Sequence, residues 1–297
     1  MVTIILQSIL SVLAALVIGV FFLGLFRIIM ARIHWRYGPP LIQPVIDIIK
    51  LFFQKGMSHG IMFDFGLIIS LAGSLAIILF MPFGNWCPLS GSGGLLVILY
   101  LMLLMPFGVA LSGGAGGNPN ISIGISRKLI LSLGYEVPFL LIMLAVMTQY
   151  KSISIVEIVQ HQQNSHWALL SWPLCLPGIA YFLILPAMLG IRPFDVASAP
   201  QEISSGSMVE YGGKYLAFAH IEHAFGLSIT IALFVNLFLG GAGNIVFFFV
   251  KMLVVFFVGL CVHAVFPRFR VEQAIKYLWK WPTALAFVGL VITVLMK

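Results

Sequence analysis

Long apolar runs, broken at intervals by short clusters of charge, make up almost the whole chain. A helix needs about 20 apolar residues to cross the roughly 30 Å hydrocarbon layer. Eight stretches qualify, at about 4–26, 64–83, 94–112, 128–149, 167–190, 215–239, 244–266 and 281–296. The last is short and is expected to tilt or to end at the interface. Pro106, Pro138, Pro177 and Pro186 fall inside spans, where proline is tolerated but kinks the helix. The pattern predicts an all-α polytopic membrane protein with about eight transmembrane helices in a single integral membrane domain over 1–297. Residues 1–26 carry no charge before Arg27 and lack a basic n-region. They are therefore read as the first span and not as a cleaved signal.

Composition agrees with this pattern. The chain is 61% hydrophobic and 8% charged, whereas soluble domains average about 25% charged residues. Little mass is left for extramembrane domains. The net charge of +7 does not point to nucleic acid, because the basic residues form no run. They follow topology instead. Arg27, Arg32, Arg36, Lys50 and Lys55 lie in the first connection, and Arg127 and Lys128 end the third. Arg192 and Lys214 bound the fifth, and Arg268, Arg270, Lys276 and Lys280 lie in the seventh. The even connections hold only Lys151. Positive-inside bias therefore puts connections 27–63, 113–127, 191–214 and 267–280 in the cytoplasm and both termini outside. The setting expected is the cytoplasmic (inner) membrane of a prokaryote.

Two of these connections are unusual. The first contains RYGPPLIQPVIDIIKLFFQK, Arg36 to Lys55. After the turn signal Gly38-Pro39-Pro40, Val45, Ile46, Ile48, Ile49, Phe52 and Phe53 recur at helical spacing, with Asp47, Lys50 and Gln54 between them. This predicts an amphipathic cytoplasmic helix that lies on the surface or docks on a partner. The other, IRPFDVASAPQEISSGSMVEYGGKY, Ile191 to Tyr215, is rich in Ala, Ser, Gly and Pro and holds three acids. A partly helical, partly irregular segment tucked against the bundle is expected, with protein or water covering its backbone. No internal repeat is evident, so an inverted-repeat transporter is not favoured.

The chain has nine carboxylates, and Glu136, Asp195, Glu202, Glu210 and Glu222 are the candidates for chemistry. An ionised group in hydrocarbon costs about 2.5–3.5 kcal/mol on insertion scales, so acids kept there point to ion movement. Glu136, in SLGYEVPFLL, stands nine residues beyond Arg127, on the order of 12 Å along the helix. Asp195, Glu202 and Glu210 are spaced by seven and eight and would share one side of a helix. With no base interleaved, they would repel one another and raise each other's pKa. Glu222 opens the sixth span between His220 and His223. Arg32, Arg36, Lys50, Arg192, Lys214 and Lys251 are candidate charge partners. Lys251 lies inside the seventh span and would snorkel or pair with a carboxylate.

Several chemistries lack residues to carry them. Cys87, Cys175 and Cys261 are far apart and form no CxxC pair, so no cluster or zinc ion is expected. The HIEH run lacks metalloprotease spacing, and no metal site is expected. GGAGGN at 113–118 has no following Lys-Ser/Thr and reads as a flexible segment.

Four motifs in fixed order, RYGPPLIQPVIDIIKLF, GYEVPF, RPFDVASAPQEISSGSMVEYGG and FPRFRVEQAIKYLWK, resemble the membrane subunit 1/H family of respiratory complex I and its relatives in energy-converting hydrogenases. The resemblance covers about residues 20–282. It implies eight transmembrane helices, both termini outside, and a place at the junction of a peripheral redox arm and a membrane pumping arm. It also implies that the acids begin an ion path. Glu136 matches the family Glu of the YE-(I/V)-P motif, Asp195 the PFD aspartate, Glu202 the last acid of PFDLPEAESEL, and Glu210 that of the EYSG motif. The two earlier glutamates of that pattern correspond to Ser198 and Pro200, and Glu222 stands about one residue from the family's sixth-helix acid.

Complex I members carry a longer stretch after the GPN turn. Here Gly38-Pro39-Pro40 runs straight into LIQPVIDIIKLF, as in the hydrogenase branch. The function expected from the resemblance is thus the membrane anchor and ion-path coupling subunit of an energy-converting nickel–iron hydrogenase, moving protons or sodium. The alternatives are a quinone-binding complex I subunit and the anchor of a sulfur-reducing relative. No cofactor is expected on this chain. The implied partners are the hydrogenase large and small subunits with a NiFe centre, an iron–sulfur subunit with [4Fe-4S] clusters, antiporter-like membrane subunits and the bilayer. Arg36, Gly38, Pro39, Pro40, Asp47, Lys50, Arg268 and Arg270 are the expected docking residues for the peripheral arm.

Overall fold

The structure is a computed structural model and describes residues 2–89 and 94–296. The helices are α1 (Val2–Ile33), α2 (Gln43–Phe52), α3 (Ile61–Phe80), α4 (Leu95–Gly114), α5 (Pro119–Tyr150), α6 (Ile155–Asn164), α7 (Cys175–Met188), α8 (Pro200–Ile203), α9 (Lys214–Phe238), α10 (Ile245–Val265) and α11 (Val271–Leu295). Seven of these, α1, α3, α4, α5, α9, α10 and α11, are long and apolar enough to cross a membrane. The chain is an all-α polytopic membrane protein, as its apolar pattern predicts.

The expected fifth span differs from the other seven. Residues 168–170 form a 3-10 turn and α7 has only 14 residues, about 21 Å of helix. The expected last span is longer than its apolar run, since α11 starts at Val271 rather than 281. Lys276 and Lys280 sit on a continuous helix and do not interrupt it. The glycine-rich link after α4 is also shorter than expected. Gly113 and Gly114 belong to α4, and the Asn118 side chain accepts from Asn120 N (3.0 Å) to cap α5.

α9 is the hub of the bundle. In its most apolar 18-residue stretch 83% of residues are buried, against 28–50% in the other long helices. It packs on α1, α2, α3, α6, α7 and α10, while α3 pairs with α4, and α5 with α11. Small residues allow the closest approaches, because helices in lipid associate by backbone packing rather than by water exclusion. A Cβ at Gly108 would stand 2.6 Å from the Gly66 carbonyl oxygen. Gly19 of α1 lies directly against the Ala224 backbone of α9.

The amphipathic helix of the first connection is present as α2, lying across α1 and α9. Arg27 Nη1 donates to Asp47 Oδ2 (2.9 Å), and Gln43 Nε2 donates to Oδ1 (2.8 Å). Burial alone would raise the Asp47 carboxyl. The Gln43 and Arg27 hydrogen bonds and the Arg27 charge outweigh it and hold the group below its ordinary value. The ring of Phe52 meets Phe218 edge-on at 5.2 Å.

The connection after α7 is partly helical and partly irregular, as expected, but its three acids do not share a helical side. Positive φ at Ser204 (47°), Ser205 (77°) and Gly206 (55°) ends α8 after one turn. The segment is drawn into the bundle where Gly124 of α5 meets Gly206 and Ser207, and Val196, Ala199 and Ile203 are buried there.

α6 lies outside every expected span. Its buried Gln162 donates to the Leu237 carbonyl (2.9 Å) at the end of α9. Lys251 serves the same end and, among the described residues, pairs with no carboxylate. Its Nζ donates to the carbonyls of Leu239 (2.7 Å) and Gly241 (2.5 Å), with Trp167 beneath at 5.0 Å. A cation is suited to the negative pole of a helix. Lys251→Met should lower the stability of the purified protein by about 1–3 kcal/mol, because it leaves those carbonyls without donors. Thermal unfolding of the variant checks this.

Candidate functional site: a carboxylate-lined cavity

A cavity of about 360 Å³ lies between α4, α5, α7 and α9, with the connection after α7 forming its floor. Asp195 and Ser198 line it from the connection, Lys128 and Tyr135 from α5, and His220, Glu222 and His223 from α9. A smaller void of about 10 Å³ lies next to it. Tyr135, Met102 and Met188 line both spaces, and Glu136 lines the smaller one. A void of that size holds on the order of one water molecule. Asp195, Glu222 and Tyr135 thus line one space, and Glu136 lines a small one across a shared wall from it.

Each acid is held differently. The Asp195 Oδ1 accepts from the Ser198 hydroxyl, and Oδ2 accepts from Arg268 Nη2 (3.2 Å). Glu222 is 6% exposed. Beside its carboxyl stands the Ser70 hydroxyl, which donates to the Met105 carbonyl (3.0 Å). Glu136 is half-buried on α5 and is turned toward Met102 and Met188.

Glu202 and Glu210 do not line the cavity. Glu202 is 54% exposed and takes Arg127 Nη1 at 2.8 Å and Arg268 Nη1 at 3.9 Å. The Arg127 hydrogen bond keeps its carboxyl below the ordinary value. The expected upward shift from repulsion is therefore reversed for Glu202, because bases reach it from other segments. Glu210 lies 3.8 Å from His59 Nε2, and its Oε2 is buried without a hydrogen bond among the described residues.

Among the described residues, none of the six expected charge partners, Arg32, Arg36, Lys50, Arg192, Lys214 and Lys251, forms an ion pair with an acid. The pairs use Arg27, Arg127, Arg268 and His59. Arg32 lies over the Tyr37 ring at 5.4 Å and Lys214 over Tyr215 at 5.2 Å. Of the expected docking residues, Arg36, Pro40, Lys50 and Arg270 are exposed. Asp47 and Arg268 are engaged inside the protein as described above, and Gly38 abuts α1 at Ile28. Trp35 (98% exposed) and Tyr37 (94%) extend the open surface.

Three residues beside these acids, Tyr135, Ser198 and Ser70, are not among the candidate residues expected from the sequence. Tyr135 is adjacent to Glu136 in the chain, and a phenol beside a carboxylate inside a span is the signal that could have found it. Among the described residues no group of three or more His, Cys, Asp and Glu side chains is placed to hold a metal ion.

These features define a multi-pass helical membrane protein with an acid-lined cavity among its helices. The family described as NADH dehydrogenase matches residues 6–294. The chain belongs to this family, the membrane subunit 1/H family of respiratory complexes. It is 33% identical over 293 residues to the H subunit of the NADH-quinone oxidoreductase of Protochlamydia amoebophila, covering 90% of this chain and 89% of the relative. It is 34% identical over 227 residues to hydrogenase-4 component C of Escherichia coli, covering 73% and 70%. A chain in the structure of the membrane-bound sulfane sulfur reductase, an archaeal respiratory membrane complex, superposes with a TM-score of 0.94 at 37% identity. That match covers 98% of this chain and 99% of the other.

Proposed function

We propose that this chain is the ion-coupling membrane subunit of a multisubunit respiratory complex whose electron transfer runs in a peripheral arm. The observation that supports this reading is the sharing of Tyr135, Met102 and Met188 by the two spaces, which sets the one lined by Asp195 and Glu222 beside the one lined by Glu136. Asp195 sits at the mouth, where Arg268 and Ser198 hold its carboxylate. A proton taken up there weakens its tie to Arg268 and can pass through water in the cavity to Glu222. The Tyr135 hydroxyl, both donor and acceptor, then hands a proton toward Glu136. The narrow second void favours protons over sodium, since a dehydrated metal cation needs several oxygen ligands and only Tyr135 and Glu136 of its lining carry a side-chain oxygen. Both termini lie outside on this reading, and the arm docks on the face carrying Arg36, Lys50 and the exposed Trp35.

For the chemistry of the arm, we infer a sulfane-sulfur-reducing complex. The support is the likeness over nearly the whole chain at 37% identity. A nickel–iron hydrogenase with [4Fe-4S]-bearing partners is the second reading. It is favoured by the short Gly38–Ile42 link and by the likeness to hydrogenase-4 component C. A quinone-binding role fits less well. It needs an apolar chamber between α1 and α9, and the Gly19–Ala224 backbone contact closes that interface at its level. Purifying the complex through a tag on this chain separates the readings. A large subunit with two CxxC pairs and bound nickel selects hydrogenase, and its absence with sulfur-reducing turnover selects the first. Turnover with a quinone alone would refute both.

A further inference from the structure

A separate cavity of about 650 Å³ opens where the start of α11 meets α5 and the connection after α7, and Arg127, Arg192, Arg268 and Arg270 converge on it. Glu202 is the one acid in its lining. That carboxylate is already taken by Arg127 and Arg268, and Asp195 holds Arg268 from the other side. Four guanidinium groups therefore face two carboxylates. Among the described residues the side chains of Arg192 and Arg270 have no ion-pair partner, and the Arg268 Nε–H is buried with no acceptor. A buried charged donor without an acceptor is costly, and a concave site with unbalanced positive charge concentrates anions. The planar fork of arginine matches phosphate oxygens two at a time.

The rest of the lining is apolar, from Val196, Pro267, Phe269 and Val271. Beside it the end of α10 presents Val265 (76% exposed) and Phe266 (48%). α10 is a span of which only a third is buried within the protein, so its open side faces hydrocarbon. An acidic protein segment would need neither this apolar lining nor a lipid-facing flank.

We propose that this recess binds the phosphate of an anionic phospholipid, whose acyl chains lie along the lipid-facing side of α10. The site rests on the membrane fold; it shares Arg268 with Asp195, whereas Arg192 and Arg270 belong to the recess alone. The test places the intact complex in phosphatidylcholine nanodiscs with a minor share of phosphatidylglycerol and counts retained lipid by native mass spectrometry. Wild type should retain phosphatidylglycerol over phosphatidylcholine. Arg192→Gln with Arg270→Gln, both exposed and unpaired, should weaken that retention about tenfold through lost charge-assisted contacts. Lys151→Gln, at an exposed cation outside both the recess and the docking face, should leave it unchanged. Gel filtration verifies that each variant still assembles. Equal retention by wild type and the double variant overturns the proposal. So does displacement of phosphatidylglycerol by inorganic phosphate in the free form with no preference between lipids, which would assign the recess to a soluble anion. Absence of phospholipid from the intact complex, with Arg270→Cys cross-linking to an acidic segment of a partner subunit, assigns it to that partner and also overturns it.

Discussion

Glu136→Gln is expected to cut ion movement by the intact complex in sealed vesicles about a hundredfold, the scale lost when a positioned proton-transfer group is removed. The substitution keeps volume and hydrogen-bonding shape, and Glu136 makes no ion pair among the described residues, so the complex should still assemble. Asp195→Asn should give a loss of the same order at the other end of the proposed route, although it also frees Arg268 from its 3.2 Å partner. Arg268 retains Glu202 at 3.9 Å, which limits the structural damage. The readout is a pH-sensitive dye inside the vesicles, with a sodium ionophore present to exclude sodium as the primary ion. Full ion movement in both variants would reduce this chain to a tether for the arm.

Gly226→Leu should impair ion movement comparably with every carboxylate in place. Gly226 lines the large cavity, and a Cβ there already stands 3.2 Å from Met105 Cε. The end of a methionine side chain can yield to one methyl group, so Gly226→Ala should be nearly silent. An isobutyl group would occupy cavity space one turn beyond Glu222, beside Met105, that water would otherwise fill. The helix itself gains, since replacing an interior glycine with a good helix former is worth up to about 1 kcal/mol. A Leu variant that unfolds no earlier than wild type and yet moves few ions would place the route through this space. A Leu variant that moves ions normally would show that the acids communicate some other way.

Much of this architecture is legible in the chain because a bilayer imposes a simple length rule. α1, α3, α4, α9 and α10 follow their apolar runs to within a few residues, apart from the polar end of α1 at Arg27–Ile33. α2 is legible from its periodicity. The rule fails where length and polarity part company. Residues 167–190 are apolar throughout, yet the chain uses the first of them for a 3-10 turn that packs on α7. Residues 271–280 carry three charges, Glu272, Lys276 and Lys280, yet they extend α11 along α5, with Ala274 and Leu278 buried. In the site, burial of Glu222 and the half-burial of Glu136 follow from their place within spans. The partners of Asp195 and Glu202 do not, because Arg268 lies 73 residues along the chain from Asp195 and Arg127 lies 75 from Glu202. The sequence predicts that Lys251 snorkels or pairs with a carboxylate, and its partners are hidden for a related reason. The end of α9 offers it the carbonyls of Leu239 and Gly241, which no composition reveals.

The brevity of α7 has a consequence for the surrounding lipid. Its roughly 21 Å stands beside an α9 of about 37 Å, so the hydrocarbon along its outward side, where Ile179 is 43% exposed, meets a shorter wall than it does elsewhere on the same protein. Each ångström of such mismatch costs a fraction of a kcal/mol. The sheet of lipid must dimple there, or shorter acyl chains must gather at that spot. Bilayer thickness thereby becomes a lever on the floor of the carboxylate-lined space, which hangs directly from the end of this one stunted helix.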